Sequence, residues 1–303
     1  MTFALLIGCF VVGVAVRRRS WFPADAIKHL NTYALSVALP ALVLKSVHAV
    51  AWEPRYVLIA AVLWGLFLAA AVVATVAARR GWTARPIAGA LALSAGLGNT
   101  AFIGVPLSTA LGGEGATGPA AMIDQLGSFV AFAVLALPFA MMFGGEGARA
   151  SAVLRRVLTF PPFLALIAAA LLRPFEFPQV AELGLTWIAK TLSPVALVCV
   201  GWQLELGSLR QHARPLLAGL TWKLLLAPAT MLTTLWFAGG PFGLTSHVAV
   251  AQAAMAPMVT AAVLAAENRL AAPLSAAMAA LGALLSFATV PAWFWVAERV
   301  LSG

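Results

Sequence analysis

Long apolar runs separated by short polar segments form the basic pattern of this chain. The runs are continuously apolar and do not alternate with polar positions, which excludes membrane β-strands in practice and predicts helices. A helix needs about 20 residues to cross the hydrocarbon core of a bilayer. The pattern therefore predicts an all-α membrane protein with ten transmembrane helices, of which the first and sixth are short; the runs are 2–16, 31–47, 57–78, 86–111, 118–143, 158–173, 182–206, 215–238, 246–266 and 273–297.

The overall composition agrees with a membrane environment. Hydrophobic residues make up 62% of the 303 residues and charged residues 10%, and the mean hydropathy is +0.97. A soluble domain could not cover so much apolar surface with so few polar side chains. The first run resembles the apolar part of a signal peptide, but its charges follow the run instead of preceding it. We expect it to be retained as the first helix.

Positive charges alternate between the loops and predict the orientation of the chain. The loops that follow odd-numbered helices hold thirteen Lys and Arg residues, whereas the other loops and the C-terminal end hold three, namely Arg55, Arg173 and Arg299. Because Lys and Arg are enriched in cytoplasmic loops, odd loops are predicted to be cytoplasmic. Both termini then face the exterior or periplasm, and the location is the cell inner (plasma) membrane. The net charge of +9 follows from these topology signals and does not indicate a nucleic-acid-binding face.

Prolines indicate an internal repeat. Six of the seven prolines in the first half have a proline 151 to 155 residues later, and the pairs are Pro23 and Pro178, Pro40 and Pro194, Pro86 and Pro241, Pro106 and Pro257, Pro119 and Pro273, and Pro138 and Pro291. Two repeats of five helices must lie in opposite orientations, as in many secondary transporters. We predict a first repeat over 1–145, a cytoplasmic linker over 146–157 and a second repeat over 158–303, which together form one membrane domain.

The fourth apolar run is interrupted by "LGNTAFIGVP", residues 97–106. Two glycines, an asparagine, a threonine and a proline weaken a helix in the middle of a membrane span, and Pro106 removes a hydrogen bond to the carbonyl of Phe102. The corresponding segment of the second half is "AQAAMAPMVTAA", residues 251–262, which contains Pro257. Broken helices of this kind meet near the membrane midplane and form substrate sites. The predicted substrate-binding residues are Gly98, Asn99, Thr100, Pro106, Met255, Pro257, Val259 and Thr260. A proline kink without function is the alternative for both segments.

Six blocks of sequence, in order, resemble signatures of the auxin efflux carrier family. They are "LNTYALSVALPALVLKSV" (30–47), "GLGNTAFIGVPL" (96–107), "IDQLG" (123–127), "LSPVALVCVGWQL" (192–204), "KLLLAPA" (223–229) and "AMAPMVTAAVLAAEN" (254–268). That family includes plant auxin exporters and bacterial permeases for malate or malonate.

The resemblance implies a ten-helix fold similar to that of bile acid–sodium symporters. In such a fold the broken helices 4 and 9 cross, and transport proceeds by an elevator-like motion. Plant exporters have an Asn-Pro-Asn-Thr-Tyr type of crossover, whereas this chain has Gly98, Asn99, Thr100 and Phe102 in part of it and has no long cytoplasmic loop. Auxin is therefore not the expected substrate.

Two polar residues early in the fifth helix are candidates for ion coupling. Asp124 is a carboxylate within a membrane span, which is rare and indicates a functional site, and Gln125 follows it. Asp124 could carry a coupling proton, help to bind a cation such as sodium, or hold helices together through hydrogen bonds. Among the lysines within apolar runs, Lys45 and Lys223 are interpreted as snorkelling towards an interface, and Lys190 fits that interpretation less well. Gln203 and Glu205 are expected at the cytoplasmic interface.

The sequence favours a secondary active transporter of small organic anions, in particular carboxylates. Paired half-helix N-termini at the midplane present positive dipole ends that suit a carboxylate. A cation–proton antiporter is the main alternative, with Asp124 as its acidic residue, and a channel is a further one. An enzyme is not expected, because no two intramembrane acids or histidines could pair. No metal or other cofactor is predicted apart from a coupling proton or sodium ion. The expected partners are the anion and membrane lipids, with a homodimer as one option and no nucleic acid.

Overall fold

The computed structural model describes residues 3–18, 23–49, 53–145, 154–155, 158–202, 212–239 and 243–301. Within these ranges the secondary structure is helical and contains no β-strand beyond one isolated bridge, which confirms the predicted all-α class. In the part of the chain that the structure describes, ten helical units follow one another, and the fourth and ninth are each divided into two half-helices. They are α1 (Phe3–Arg18), α2 (Asp25–His48), α3 (Arg55–Arg79), α4a (Arg85–Gly96), α4b (Thr100–Gly112), α5 (Glu114–Gly144), α6 (Pro161–Leu171), α7 (Gln179–Trp202), α8 (Ala213–Ala238), α9a (Leu244–Ala253), α9b (Val259–Glu267) and α10 (Ala272–Val300).

Six of these helices are long and apolar enough to span a bilayer: α2, α3, α5, α7, α8 and α10. Helices α1, α4b and α6 are apolar but shorter. Large hydrophobic side chains such as Val57, Leu171 and Val180 lie exposed on the outside of the bundle, as expected of surfaces that contact lipid. The chain is thus a multi-pass membrane protein. Ten spans and the inverted repeat stay predictions, and most of the predicted linker, together with Gln203 and Glu205, lies outside the described residues.

The helices pack as two groups. The four-helix group consists of α1, α2, α6 and α7, and its helices pack mainly against one another. The six-helix group consists of α3, α4, α5, α8, α9 and α10. The two groups meet where α2 packs against α5 and where α7 packs against the start of α4b. Within the four-helix group α1 and α7 approach closely. A Cβ atom on Gly13 or Gly201 would collide with the backbone of the opposite helix, so only glycine permits this contact.

Four of the prolines within the helices follow wide, π-helical turns. Each of the π turns Ala34–Ala38, Thr100–Gly104, Ala131–Ala136 and Trp222–Leu226 ends two residues before a proline. Proline cannot donate the usual hydrogen bond, and its ring collides with the carbonyl four residues earlier, so a wider turn relieves the collision. The carbonyl of Leu224, which Pro228 leaves without its helical donor, accepts a hydrogen bond from the indole of Trp293 at 2.9 Å instead. The chain therefore crosses apolar surroundings as helix despite its many prolines.

Candidate functional site

The breaks in α4 and α9 lie against each other in extended conformation. Gly98 and Pro257 face each other as an antiparallel bridge. The backbone N–H of Asn99 donates to the carbonyl of Ala256 at 2.7 Å, and that of Met258 donates to the carbonyl of Leu97 at 3.1 Å. These two bonds satisfy polar backbone groups that leave their helices in the middle of the bundle. We call this paired segment, residues 97–99 and 256–258, the crossing.

Asn99 serves two purposes at the crossing. Its side-chain oxygen accepts a hydrogen bond from the backbone N–H of Phe102 at 3.3 Å and so caps the start of α4b. Its amide nitrogen Nδ2 is buried and has no hydrogen-bond partner among the described residues. The side chain is only 4% exposed. A buried donor without a partner costs about 1 to 3 kcal/mol, and a ligand oxygen would remove that cost.

Asp124 is held by hydrogen bonds from two side chains. The hydroxyl of Thr100 donates to one carboxylate oxygen at 2.5 Å, and Nε2 of Gln125 donates to the other at 2.7 Å. All three residues are buried. Because Thr100 belongs to the first turn of α4b, the carboxylate of α5 is joined directly to the broken helix. Oε1 of Gln125 has no partner among the described residues and offers a free acceptor.

Lys223 reaches the other side of the crossing from α8. Its side chain is 2% exposed, and its ammonium nitrogen lies 3.0 Å from the position that a Cβ atom would occupy on Gly98. Only glycine leaves this space at residue 98. The interpretation of Lys223 as a snorkelling side chain is therefore wrong, since the ammonium points into the centre of the six-helix group. The break in α4 thus lies between two buried ionisable side chains, Asp124 beside Thr100 and Lys223 beside Gly98.

A cavity of about 340 Å³ opens from the crossing between the two helix groups. Asn99 lines it, together with Asp124 and Gln125 of α5. The first residues of both half-helices also line it, so that two helix N-termini face the same space. We call it the crossing cavity. Further lining residues come from α2, from the residue before α6 and from the end of α9b, and they include Asn31, Leu35, Leu39, Phe160 and Glu267.

The structure brings most of the predicted site residues together. Five of them line the crossing cavity: Asn99, Asp124, Gln125, Val259 and Thr260. Gly98, Thr100 and Pro257 do not line it, but Gly98 and Pro257 belong to the crossing and Thr100 is bonded to Asp124.

Two of the predicted residues lie elsewhere. Met255 is fully buried in the hydrophobic core and does not line the cavity. Pro106 lies beyond the break, on α4b, where its missing N–H is accommodated by the preceding π turn and does not interrupt the helix. The interruption itself falls at residues 97–99, because extended backbone there is paired with the other break.

Some contributors to the site were missed by sequence reasoning. Met258 and Phe102 line the crossing cavity and have no polar signature. The sequence signal for Lys223 is a charge in the middle of a long apolar run, which is rare within membrane spans. No group of three or more metal-ligating side chains occurs among the residues that the structure describes.

Comparisons with known proteins cover nearly the whole chain. A family model described as "Membrane transport protein" matches twice, over residues 2–152 and residues 148–294. The chain is also similar to a protein of Methanothermobacter thermautotrophicus that is described as an uncharacterized transporter. The two are 27% identical over 270 residues, which is 87% of each chain.

Proposed function

The chain belongs to the membrane transport protein family, in agreement with its resemblance to auxin efflux carriers, and we propose that it is a secondary active transporter of small organic anions, specifically carboxylates. The observation that carries the proposal is the unpartnered amide of Asn99 at the crossing cavity. This donor lies beside the N-terminal turns of α4b and α9b. Together they form a concave set of hydrogen-bond donors that suits carboxylate oxygens.

The buried charges support an anionic ligand. Lys223 places a buried positive charge beside Gly98, at the crossing. That charge lowers the cost of bringing a carboxylate into apolar surroundings, while the helix N-termini provide the hydrogen bonds. A cavity of about 340 Å³ lies at the small end of ordinary ligand pockets and fits a substrate of a few carbon atoms.

Asp124 is the proposed coupling residue. Its carboxylate lines the crossing cavity and is bonded to Thr100 of the broken helix. Taking up a proton would turn one of its oxygens from an acceptor into a donor, so the bonds to Thr100 and Gln125 would rearrange. This links the protonation state of α5 to the position of α4b. A proton that moves with the anion would also offset its charge within the membrane.

The position of the crossing cavity supports an elevator-like motion. The crossing lies wholly within the six-helix group, and the crossing cavity lies between that group and α2 of the four-helix group. Sliding one group along the other would carry the crossing from one side of the membrane to the other without opening a continuous pore. The residues at the far end of the cavity, Asn31 and Glu267, lie at helix ends that the charge pattern predicts to be cytoplasmic. The described state is thus proposed to face the cytoplasm.

A transport screen tests the proposal. Purified protein is placed in liposomes, and uptake of labelled monocarboxylates and dicarboxylates is followed with and without a pH gradient. Saturable uptake of at least one carboxylate that is inhibited by unlabelled substrate is expected. If no carboxylate is taken up while a monovalent cation exchanges for protons, the proposal is wrong. The chain would then be a cation–proton antiporter, the alternative that the buried Asp124 supports.

A further inference from the structure

A second cavity lies between the two helix groups, on the far side of the crossing. It has a volume of about 830 Å³ and is bounded by α1, α2 and α7 on one side and by α4b and α5 on the other. Helix α2 lines both cavities: Leu35 and Leu39 face the crossing cavity, whereas Leu42 and Lys45 face the second one. The two spaces therefore lie at opposite ends of one helix, separated by the buried leucines 39 and 42.

Cations and hydroxyl groups form the polar lining of the second cavity. Lys45 enters from α2 and Lys190 from α7, and they are two of only four lysines in the chain. Glu114 is the single carboxylate among the described residues of the lining, which leaves one net positive charge there. Five hydroxyl groups complete the polar set, from Ser46, Thr109, Thr117, Thr186 and Ser193. We call this space the lysine cavity.

The ammonium groups of the lysine cavity are available to a ligand. Lys190 is exposed, and its ammonium lies over the ring of Trp187, 5.6 Å from the centroid, a contact that does not neutralise its charge. Lys45 is half-buried at the end of α2, with Ser46 beside it. The expectation that Lys45 snorkels to an interface omits this cavity, into which the side chain reaches. Lysine side chains are flexible enough for two of them to close around one small anion.

The ionisable side chains that line the lysine cavity carry a net positive charge among the residues that the structure describes. The described ionisable residues that line the crossing cavity are Asp124 and Glu267, and Lys223 lies outside that lining, beside Gly98. An anion that enters from the lysine side therefore meets favourable electrostatics. The helix ends around the lysine cavity are those that the charge pattern predicts to be exterior.

We propose that the lysine cavity is a second anion-binding site, which captures a small carboxylate on the exterior side before it reaches the crossing. Lys45 and Lys190 hold the carboxylate, and the hydroxyl groups of Ser46 and Ser193 donate hydrogen bonds to it, whereas the threonine hydroxyls of the cavity are already hydrogen-bonded within the protein. The inference rests on the proposed function only for the chemical class of the anion.

Protection of individual lysines from chemical modification tests this site. The purified full chain in detergent is treated with an N-hydroxysuccinimide ester, and acylation of each lysine is measured by mass spectrometry in rising concentrations of sodium malonate, with sodium chloride at equal ionic strength as reference. Acylation of Lys45 and Lys190 is expected to slow at least severalfold and to saturate. Lys28, which is exposed at the other end of α2, should react at an unchanged rate. Equal slowing at Lys28, or no slowing at Lys45 and Lys190, would overturn the proposal.

Variants separate this site from the crossing. Lys45→Gln combined with Lys190→Gln should weaken malonate binding, measured by titration calorimetry, by about tenfold or more, whereas Lys28→Gln should leave it unchanged. Asn99→Ser should lower uptake in liposomes severalfold but leave the protection of Lys45 and Lys190 intact. If malonate is transported but protects neither lysine, the lysine site is wrong and the proposed function stands. If malonate protects both lysines but no carboxylate is transported, the lysine site stands and the proposed function is wrong. Protection by inorganic phosphate without protection by malonate would contradict the carboxylate assignment.

Discussion

Asn99 shows how one side chain can stabilise the fold and still keep a donor for a ligand. Its oxygen caps α4b through the N–H of Phe102, and its amide nitrogen has no hydrogen-bond partner among the described residues. Alanine would remove both interactions and mix two effects. Serine retains the capping oxygen, since Ser is as good an N-cap as Asn, but lacks the amide donor. Comparison of Asn with Ser therefore isolates the ligand contact.

Asn99→Ser is predicted to weaken carboxylate binding by about tenfold, because one hydrogen bond to a charged ligand contributes roughly 1.5 to 3 kcal/mol and an ordered water could replace part of it. Binding would be measured by titration calorimetry and thermal unfolding on the same preparation. The unfolding temperature without ligand should stay within a few degrees of that of the parent protein. Unchanged affinity in a folded variant would remove Asn99 from the site.

Asp124→Asn tests the coupling residue. The asparagine side chain cannot exchange a proton, yet it is nearly the same size and can still accept a hydrogen bond from Thr100. We predict that transport falls and that its dependence on pH, followed between about pH 5 and pH 8, becomes flat. Uptake into liposomes at fixed substrate concentration measures both effects. Normal transport with a pH profile like that of the parent would mean that Asp124 is structural.

At the scale of single residues, the sequence showed which side chains are polar within apolar runs, but it did not show where those side chains point. Asn99, Thr100 and Asp124 could be selected because each is polar within an apolar run. Lys223 has the same property but was assigned to an interface, since the sequence does not tell which way a lysine on a membrane helix points. Its direction depends on Gly98, a residue of another helix that leaves room for the ammonium. Such contacts become visible only in three dimensions.

At the scale of helices, the crossing depends on glycine at position 98. The backbone there is extended and any residue could adopt it, so the requirement comes from Lys223, whose nitrogen lies 3.0 Å from the missing Cβ. Gly98→Ala is predicted to displace the ammonium and to lower transport severalfold with little change in unfolding temperature. Gly65→Ala is the matched control, because nothing lies within 4 Å of its missing Cβ on α3. Equal transport by the two variants would contradict the role of the contact.

The breaks in the helices could be located from the sequence, but their details could not. Glycine, asparagine and threonine within residues 97–106 and proline within 251–262 correctly marked two segments that meet. The proline offset suggested that Pro106 and Pro257 are equivalent. Instead Pro257 faces Gly98, and Pro106 follows a π turn within α4b. The sequence alone does not show whether a helix breaks at a proline or widens into a π turn. Packing against neighbouring helices determines which arrangement has the lower free energy.

At the scale of the whole molecule, orientation follows from the distribution of basic residues. We predict that both termini face the exterior or periplasm, since the predicted cytoplasmic loops hold most of the Lys and Arg. A C-terminal alkaline phosphatase fusion should be active and a fluorescent-protein fusion dark in a bacterial host. The opposite pattern would invert the topology and assign the lysine cavity to the cytoplasm.

The sequence predicted the medium and the helical class, but it could not predict the cavities. Apolar runs indicate where helices lie, because the bilayer requires continuous apolar segments. Which helices pack together depends on contacts between distant residues, such as those of Gly13 and Gly201 between α1 and α7. Both cavities arise at the boundary between the two helix groups. Because Lys45 and Lys190 are 145 residues apart in the sequence, nothing in the sequence indicated that they share a site.

The central claim is that the crossing binds a carboxylate and carries it through alternating exposure. Counterflow in liposomes tests it most directly: vesicles loaded with unlabelled malonate are diluted into labelled malonate, with the parent protein and Asn99→Ser compared side by side. A carrier that binds one substrate at a time accumulates label transiently above the outside concentration, whereas a channel cannot. We predict an overshoot with the parent protein and its loss, or a severalfold reduction, with Asn99→Ser. Simple equilibration of label without an overshoot, or an equal overshoot in both proteins, would contradict the account.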